Sequence, residues 1–248
     1  MTIGGIMRFG RGSRRGYVAL LAGVLLAVLA PSASAAGDAI VNGGFETGSL
    51  VGWGHAPGHP FNAGHGWFAV KGHVSPSGFT IPGPASGRFQ AVSDQIGPGS
   101  NTLFQSFRVP VHGTLSMTLW YRNRAGVFYS PQMLVPGRAP NQQLRITLTR
   151  PDAGLYSLKP ADVLATVFAT HPGDPTALGP QQIHYDLSSL AGQLVRLRIT
   201  EVDNQFFFQV GVDDVSVTDG TSSTVLPLST AAGTARSFDM SKAVYVRR

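Results

Sequence analysis

The sequence predicts an all-β protein, an antiparallel β-sandwich of the jelly-roll kind. Three observations predict it. Apolar residues recur with a period of two in run after run, the spacing that sets one side of a strand on a core. The chain carries 31 glycines and 17 prolines against 13% charged residues, a composition that suits many short strands joined by turns. Beyond the first 35 residues no segment keeps a helical period, and only Pro160–Leu164 suggests a short helical turn.

The strands follow in order. Phe68 and Val70 alternate in the first run, and Phe89, Ala91 and Ser93 in the next. Leu103 and Gln105 oppose Phe104 and Ser106 in a run that ends at Pro110. The clearest alternation sets Leu115, Met117, Leu119 and Tyr121 on one side and Ser116, Thr118, Trp120 and Arg122 on the other. Leu144, Ile146 and Leu148 oppose Arg145, Thr147 and Thr149; Val195, Leu197 and Ile199 oppose Arg196, Arg198 and Thr200. A last strand ends near residue 219. Eight to ten half-buried strands result. Three phenylalanines in a row, Phe206 to Phe208, are expected where both sheet faces are covered.

The ends are read separately. Residues 1–35 have the form of an export signal: Arg8, Arg11, Arg14 and Arg15, an apolar run from Tyr17 to Ala30, then small residues at Ala33 and Ala35. The run is short for a membrane span. The Arg14–Arg15 pair leaves both the general secretory and the twin-arginine route open. The expected product is a secreted, extracellular domain over 36–219, with no membrane span, followed by a Ser/Thr/Ala-rich tail over 220–248 that is expected to be flexible. The formal charge of +6 falls to +2 once the four leader arginines are removed. No basic run follows the leader, so no nucleic-acid partner is expected. There is no cysteine, so neither a disulfide nor a thiol nucleophile is available.

Two segments carry the functional signal. Asn42, Gly44, Phe45 and Glu46, followed by Gly52 and Trp53, open the domain; Asp213, Asp214, Val215, Ser216 and Val217 close it. Together they resemble the galactose-binding-like β-jelly-roll domains, above all carbohydrate-binding module families 4, 9 and 22 and related exported bacterial proteins of unassigned function. The resemblance brackets residues 40–219. It implies a non-catalytic sugar-binding module and a structural calcium near these ends. A straight last strand turns Asp213 inward with Val215 and Val217, and an unpartnered inward carboxylate is costly. If Glu46 on the first strand meets Asp213, a hard cation with oxygen ligands lets both stay ionised. The resemblance makes Glu46 and Asp213 calcium ligands, with backbone carbonyls near Asn42–Gly44. The alternative is a pair of capped turn carboxylates without metal.

For a ligand, Trp120 is the candidate platform, because a pyranose offers an apolar face to an aromatic ring. Arg122, Arg145, Arg196 and Arg198 supply forked donors to hydroxyls or carboxylates if they share its sheet. The alternative is a solvated sheet face. His55, His59, His65 and His73 sit in a glycine-rich stretch without the spacing of a zinc site. A small glycoside hydrolase would need two carboxylates across one bond, leaving Glu201 with Asp203 or Asp186. The expected function is therefore a secreted carbohydrate-binding-like module whose partner is a polysaccharide or cell-surface glycan. An extracellular structural or adhesion protein of the same fold is the alternative.

Overall fold

The computed structural model describes residues 37–57, 66–94, 98–129, 133–135 and 137–220. The expected leader, the tail beyond Gly220, and His59 and His65 lie outside them. Ten strands are present: β1 (Gly54–Pro57), β2 (Gly66–Lys71), β3 (Phe89–Asp94), β4 (Gly99–Arg108), β5 (Gly113–Asn123), β6 (Gln142–Thr149), β7 (Val163–Ala169), β8 (Ala177–Asp186), β9 (Leu194–Asp203) and β10 (Phe208–Asp219). A 3₁₀ turn, Ser188–Leu190, precedes β9. Among the described residues no helix is long and apolar enough to cross a membrane.

The strands form two five-stranded antiparallel sheets. The first has the order β1-β4-β9-β6-β7 and the second β2-β3-β10-β5-β8. From β3 to β6 each strand changes sheet, and β8, β9 and β10 do so again, giving the crossings of a jelly roll. The predicted β-sandwich is therefore the observed one. Leu103, Leu144, Ile146, Leu197 and Ile199 of the first sheet meet Leu115, Met117, Leu119, Val210 and Val212 of the second in one apolar core. Each such side chain contributes roughly 1.5–3 kcal/mol on burial.

One local expectation is narrowed and another corrected. The helical turn expected at Pro160–Leu164 is a single turn over 160–162, closed by Val163 N–H to Lys159 O (3.2 Å); from Val163 the chain is β7, which packs Leu164, Ala165, Val167 and Phe168 against the core. The opening segment forms no strand of its own. It runs beside β10 through Ala39 N–H to Val217 O (2.9 Å) and Val215 N–H to Gly43 O (3.0 Å), and the first strand begins only at Gly54.

The second sheet has a covered outer face. Segment 72–88 folds across it and buries Ile81 against Val70, Val92 and Trp120 in a small second cluster. This cover decides what the sheet can present to a ligand.

Candidate functional site

The glycine-rich opening is shaped by its contact with β10. A Cβ on Gly43 would stand 1.7 Å from Val215 O, so only glycine admits the close approach. Asn42 and Phe45 take left-handed backbone angles, φ 53° and 55°. The turn is fixed by Asn42 Nδ2, which donates to Ser49 O (2.9 Å) and Val51 O (3.0 Å), and by Trp53 Nε1, which donates to Asn42 O (3.1 Å). Phe45 packs on Trp53 with ring centroids 5.6 Å apart. This leaves Glu46 facing the loop that precedes β3.

Glu46, Asp213 and Asp214 all hold that loop. Glu46 Oε1 accepts from Arg88 N (2.8 Å) and Phe89 N (2.9 Å). The amide hydrogens of Phe89 and Arg88 hold its carboxyl below the usual range. Asp213 Oδ2 accepts from Ala85 N (2.8 Å) and Ser86 N (3.3 Å), and its Oδ1 from Asp214 N (2.8 Å). Burial pushes the Asp213 carboxyl up to about 6, against the pull of those three amides. Ser86 Oγ donates to Asp214 Oδ1 (2.5 Å).

The expected inward side of Asp213 is corrected. Between Asp213 and Ser216 the pairing of β10 with β5 shifts, and Asp214 there has φ 49°. Such a bulge changes the parity of the strand. Phe208, Val210 and Val212 face the core before it, Val215 and Val217 after it. Asp213 therefore stands on the outer face, and segment 72–88 buries it there. Among the described residues no three histidine, aspartate or glutamate side chains gather as a metal-ligand group. The donors that do meet at this loop are all oxygens, the kind a hard cation takes. Glu46 Oε2 and Asp214 Oδ2 accept no hydrogen bond among the described residues. By donor type the turn fits calcium. By hydrogen bonding, Asp213 is satisfied by the loop alone.

The expected groove is also corrected. Trp120 and Arg122 belong to β5 in the second sheet; Arg145, Arg196 and Arg198 belong to β6 and β9 in the first. They share no sheet. Trp120 is on the predicted outer side of its strand but is only 1% exposed, under segment 72–88. Its Nε1 donates to Gln90 Oε1 (2.7 Å), and its ring lies on Gly211, where a Cβ would stand 2.1 Å away. A ring so covered offers no stacking surface.

The three arginines of the first sheet are engaged within the chain, Arg196 and Arg198 with its backbone. Arg198 Nε donates to Thr147 Oγ1 (3.0 Å), and its Nη1 to Leu155 O (2.7 Å) and Ser157 O (2.9 Å). Arg196 donates to Ala153 O and Pro151 O. Arg145 Nε donates to Gln143 Oε1 (3.0 Å). Burial, with the neighbouring charges of Arg145 and Arg196, pulls Arg198 down to about 10. Arg196 and Arg198 fasten loop 150–158 over the sheet.

The residues that sequence reasoning missed lie where β9 turns into β10. Strand β10 begins at Phe208, so only Phe208 enters the core. Phe207 is half-buried and Phe206 is 54% exposed, against the expectation that both faces there are covered. Phe207 packs on Phe206 (5.0 Å) and on Phe79 (4.8 Å). The guanidinium carbon of Arg124 lies 4.1 Å from the centre of the Phe79 ring. Gln142 Nε2 donates to Phe206 O (2.8 Å), and Arg124 N to Phe207 O (2.9 Å), which fixes the backbone under the rings. The sequence signal was the turn-forming Asp203-Asn204-Gln205 ahead of the three phenylalanines.

The carboxylates considered for hydrolysis are inside the sandwich. Glu201 is 0% exposed and accepts from Ser93 Oγ of the opposite sheet (3.0 Å). Burial first, then the charge of Asp203, holds its carboxyl well above the usual range. Asp203 is buried at the same end, and Asp186 accepts from Ser188 N and Oγ at the far end of β8. A polymeric substrate cannot pass between either buried carboxylate and water, so they do not form a glycosidase pair.

The chain matches no protein-family model and no curated protein. Among solved structures it is similar to TmCBM61 in complex with β-1,4-galactotriose, at 13% identity and a TM-score of 0.44, covering 73% of this chain and 98% of that one. It is similar also to the K3 cleaved adhesin domain of Lys-gingipain from Porphyromonas gingivalis W83, at 16% identity and TM-score 0.45, covering 73% and 98%. A family 16 carbohydrate-binding module matches at 11% identity and TM-score 0.38, covering 73% and 99%. At such identities and scores the likeness says nothing of what this chain binds.

Proposed function

We propose that the chain is an exported, non-catalytic module that binds a glycan at the Phe79–Phe206–Phe207–Arg124 platform. One observation carries the reading: an aromatic side chain stands in solvent on a backbone that is pinned from below. A fixed ring beside polar donors is what a sugar's C–H face needs. The enclosed position of Glu201 and Asp203 supports a binding rather than a hydrolytic role.

Calcium belongs to the same proposal. Glu46 and Asp213, with backbone carbonyls near Asn42–Gly44, would hold it, where it would tie the chain's opening segment to β10.

Affinity electrophoresis of the secreted chain through gels containing β-1,4-galactan, xylan or polygalacturonate tests the binding. Retardation by at least one of them is the expected result. Unaltered migration in all three would favour the structural or adhesion alternative.

A further inference from the structure

Resting on the glycan-binding reading, and going beyond it, we propose that the platform selects an acidic sugar, with Arg124 and Arg122 receiving its carboxylate. The first ground is how Arg124 is held. Its Nε donates to Gln209 Oε1 (3.0 Å). Gln209 is fully buried, and its Nε2 donates to Asp94 Oδ1 (3.2 Å); the other oxygen of Asp94 accepts from Ser77 N (2.7 Å). The Phe79 ring supports the guanidinium plane from one side. Buried side chains thus fix the head group at its Nε edge and at one face.

The second ground is what remains open. The two terminal nitrogens of Arg124 donate to no acceptor among the described residues. Arg122 stands directly opposite Gln209 across the β5–β10 pairing, is exposed, and also donates to none of them. Arg198 and Arg196, by contrast, use backbone carbonyls of their own chain. Two exposed arginines therefore neighbour one buried amide, Arg124 bonded to it and Arg122 opposite it in the strand pairing. A planar carboxylate satisfies the fork of a guanidinium with two parallel bonds, and a hydroxyl does not. Phe206 then takes the apolar face of the ring that carries the carboxylate.

The test is affinity electrophoresis and calorimetry of the full secreted chain with polygalacturonate and alginate as acidic probes, and β-1,4-galactan and xylan as neutral ones. The expected result is binding to an acidic probe that falls as salt is raised. Arg124→Ala and Phe206→Ala should each weaken it about tenfold, and Arg124→Lys should weaken it less, keeping the charge without the fork. Arg108→Ala, which removes an exposed arginine from the first sheet, should leave binding unchanged. Phe206→Ala touches no core contact, so its loss of binding at an unaltered melting temperature separates recognition from folding. Retention by a neutral probe alone would overturn the acidic-sugar inference and leave the glycan reading standing. Equal weakening by Arg108→Ala would overturn it as mere charge attraction. Retention by no probe would overturn both.

Discussion

Glu201 gives the sharpest physical prediction. Its carboxyl is buried between the sheets, and burial plus the charge of Asp203 raises its affinity for a proton. In the unfolded chain a glutamate loses its proton near pH 4.3. Above that pH the folded state keeps a proton that the unfolded state lacks, so stability falls as pH rises, until the folded carboxyl also titrates. One proton of difference gives a slope of about 1.4 kcal/mol per pH unit. Asp213 acts with the same sign, but only up to about pH 6, where its own folded carboxyl titrates. Glu201 adds its slope until its own folded carboxyl titrates, and comparison with Glu201→Gln isolates that share. Glu201→Gln keeps an acceptor for Ser93 Oγ and removes the titration. Urea unfolding followed by tryptophan fluorescence, at half-unit steps from pH 5 to 9, measures both proteins. As pH rises from 5 the wild type should lose more stability than the variant. Parallel profiles would refute the buried, protonated glutamate.

Other expectations follow from the same geometry. Trp120→Ala should lower the unfolding free energy by about 3–5 kcal/mol, because it empties a covered site and strands Gln90; a stability change below about 1 kcal/mol would mean the ring is not buried. Gly211→Ala should also destabilise, by about 1–3 kcal/mol in urea unfolding, since its Cβ would enter the Trp120 ring. Calcium at a hundred times its Kd should raise stability by about 2.7 kcal/mol, and chelator should reverse the gain in a thermal melt. That gain should fade below about pH 6, as Asp213 takes up a proton in competition with the ion. Arg198→Met should loosen loop 150–158, seen as faster amide exchange at residues 153–157 with the sheet amides unchanged.

The strands with a clean period of two, β2 to β6 and β9, are legible in the sequence, because each faces a core on one side; β10 is legible as a strand although its period breaks at the bulge. Strands β7 and β8 are not. β7 is a half-buried edge strand without alternation, and β8 carries Pro180, Gln181 and Gln182 on an exposed edge. The side of Trp120 was read rightly from its alternation with Leu119 and Tyr121. Its burial was not readable, because the cover comes from segment 72–88, which has no regular pattern of its own. Asp213 was placed on the wrong face because one bulge changes the parity of everything after it, and the only trace in sequence is a pair of aspartates. Arg196 and Arg198 alternate as predicted on β9, yet the loop that takes up their donors lies 41 to 45 residues away in sequence. Phe206 was missed because strand β10 starts two residues later than the aromatic run suggests.

A glycan is expected to meet this chain at the outward turn before β10. The most direct measurement is a ¹H–¹⁵N spectrum of the isotope-labelled secreted chain, titrated with oligogalacturonate. The account predicts saturable shifts at the amides of Arg122, Arg124, Phe206 and Phe207 and at the side-chain Nε–H of Arg124, with Arg145, Arg196 and Arg198 unmoved. Shifts confined to the first sheet, or none at saturating oligosaccharide, would contradict it.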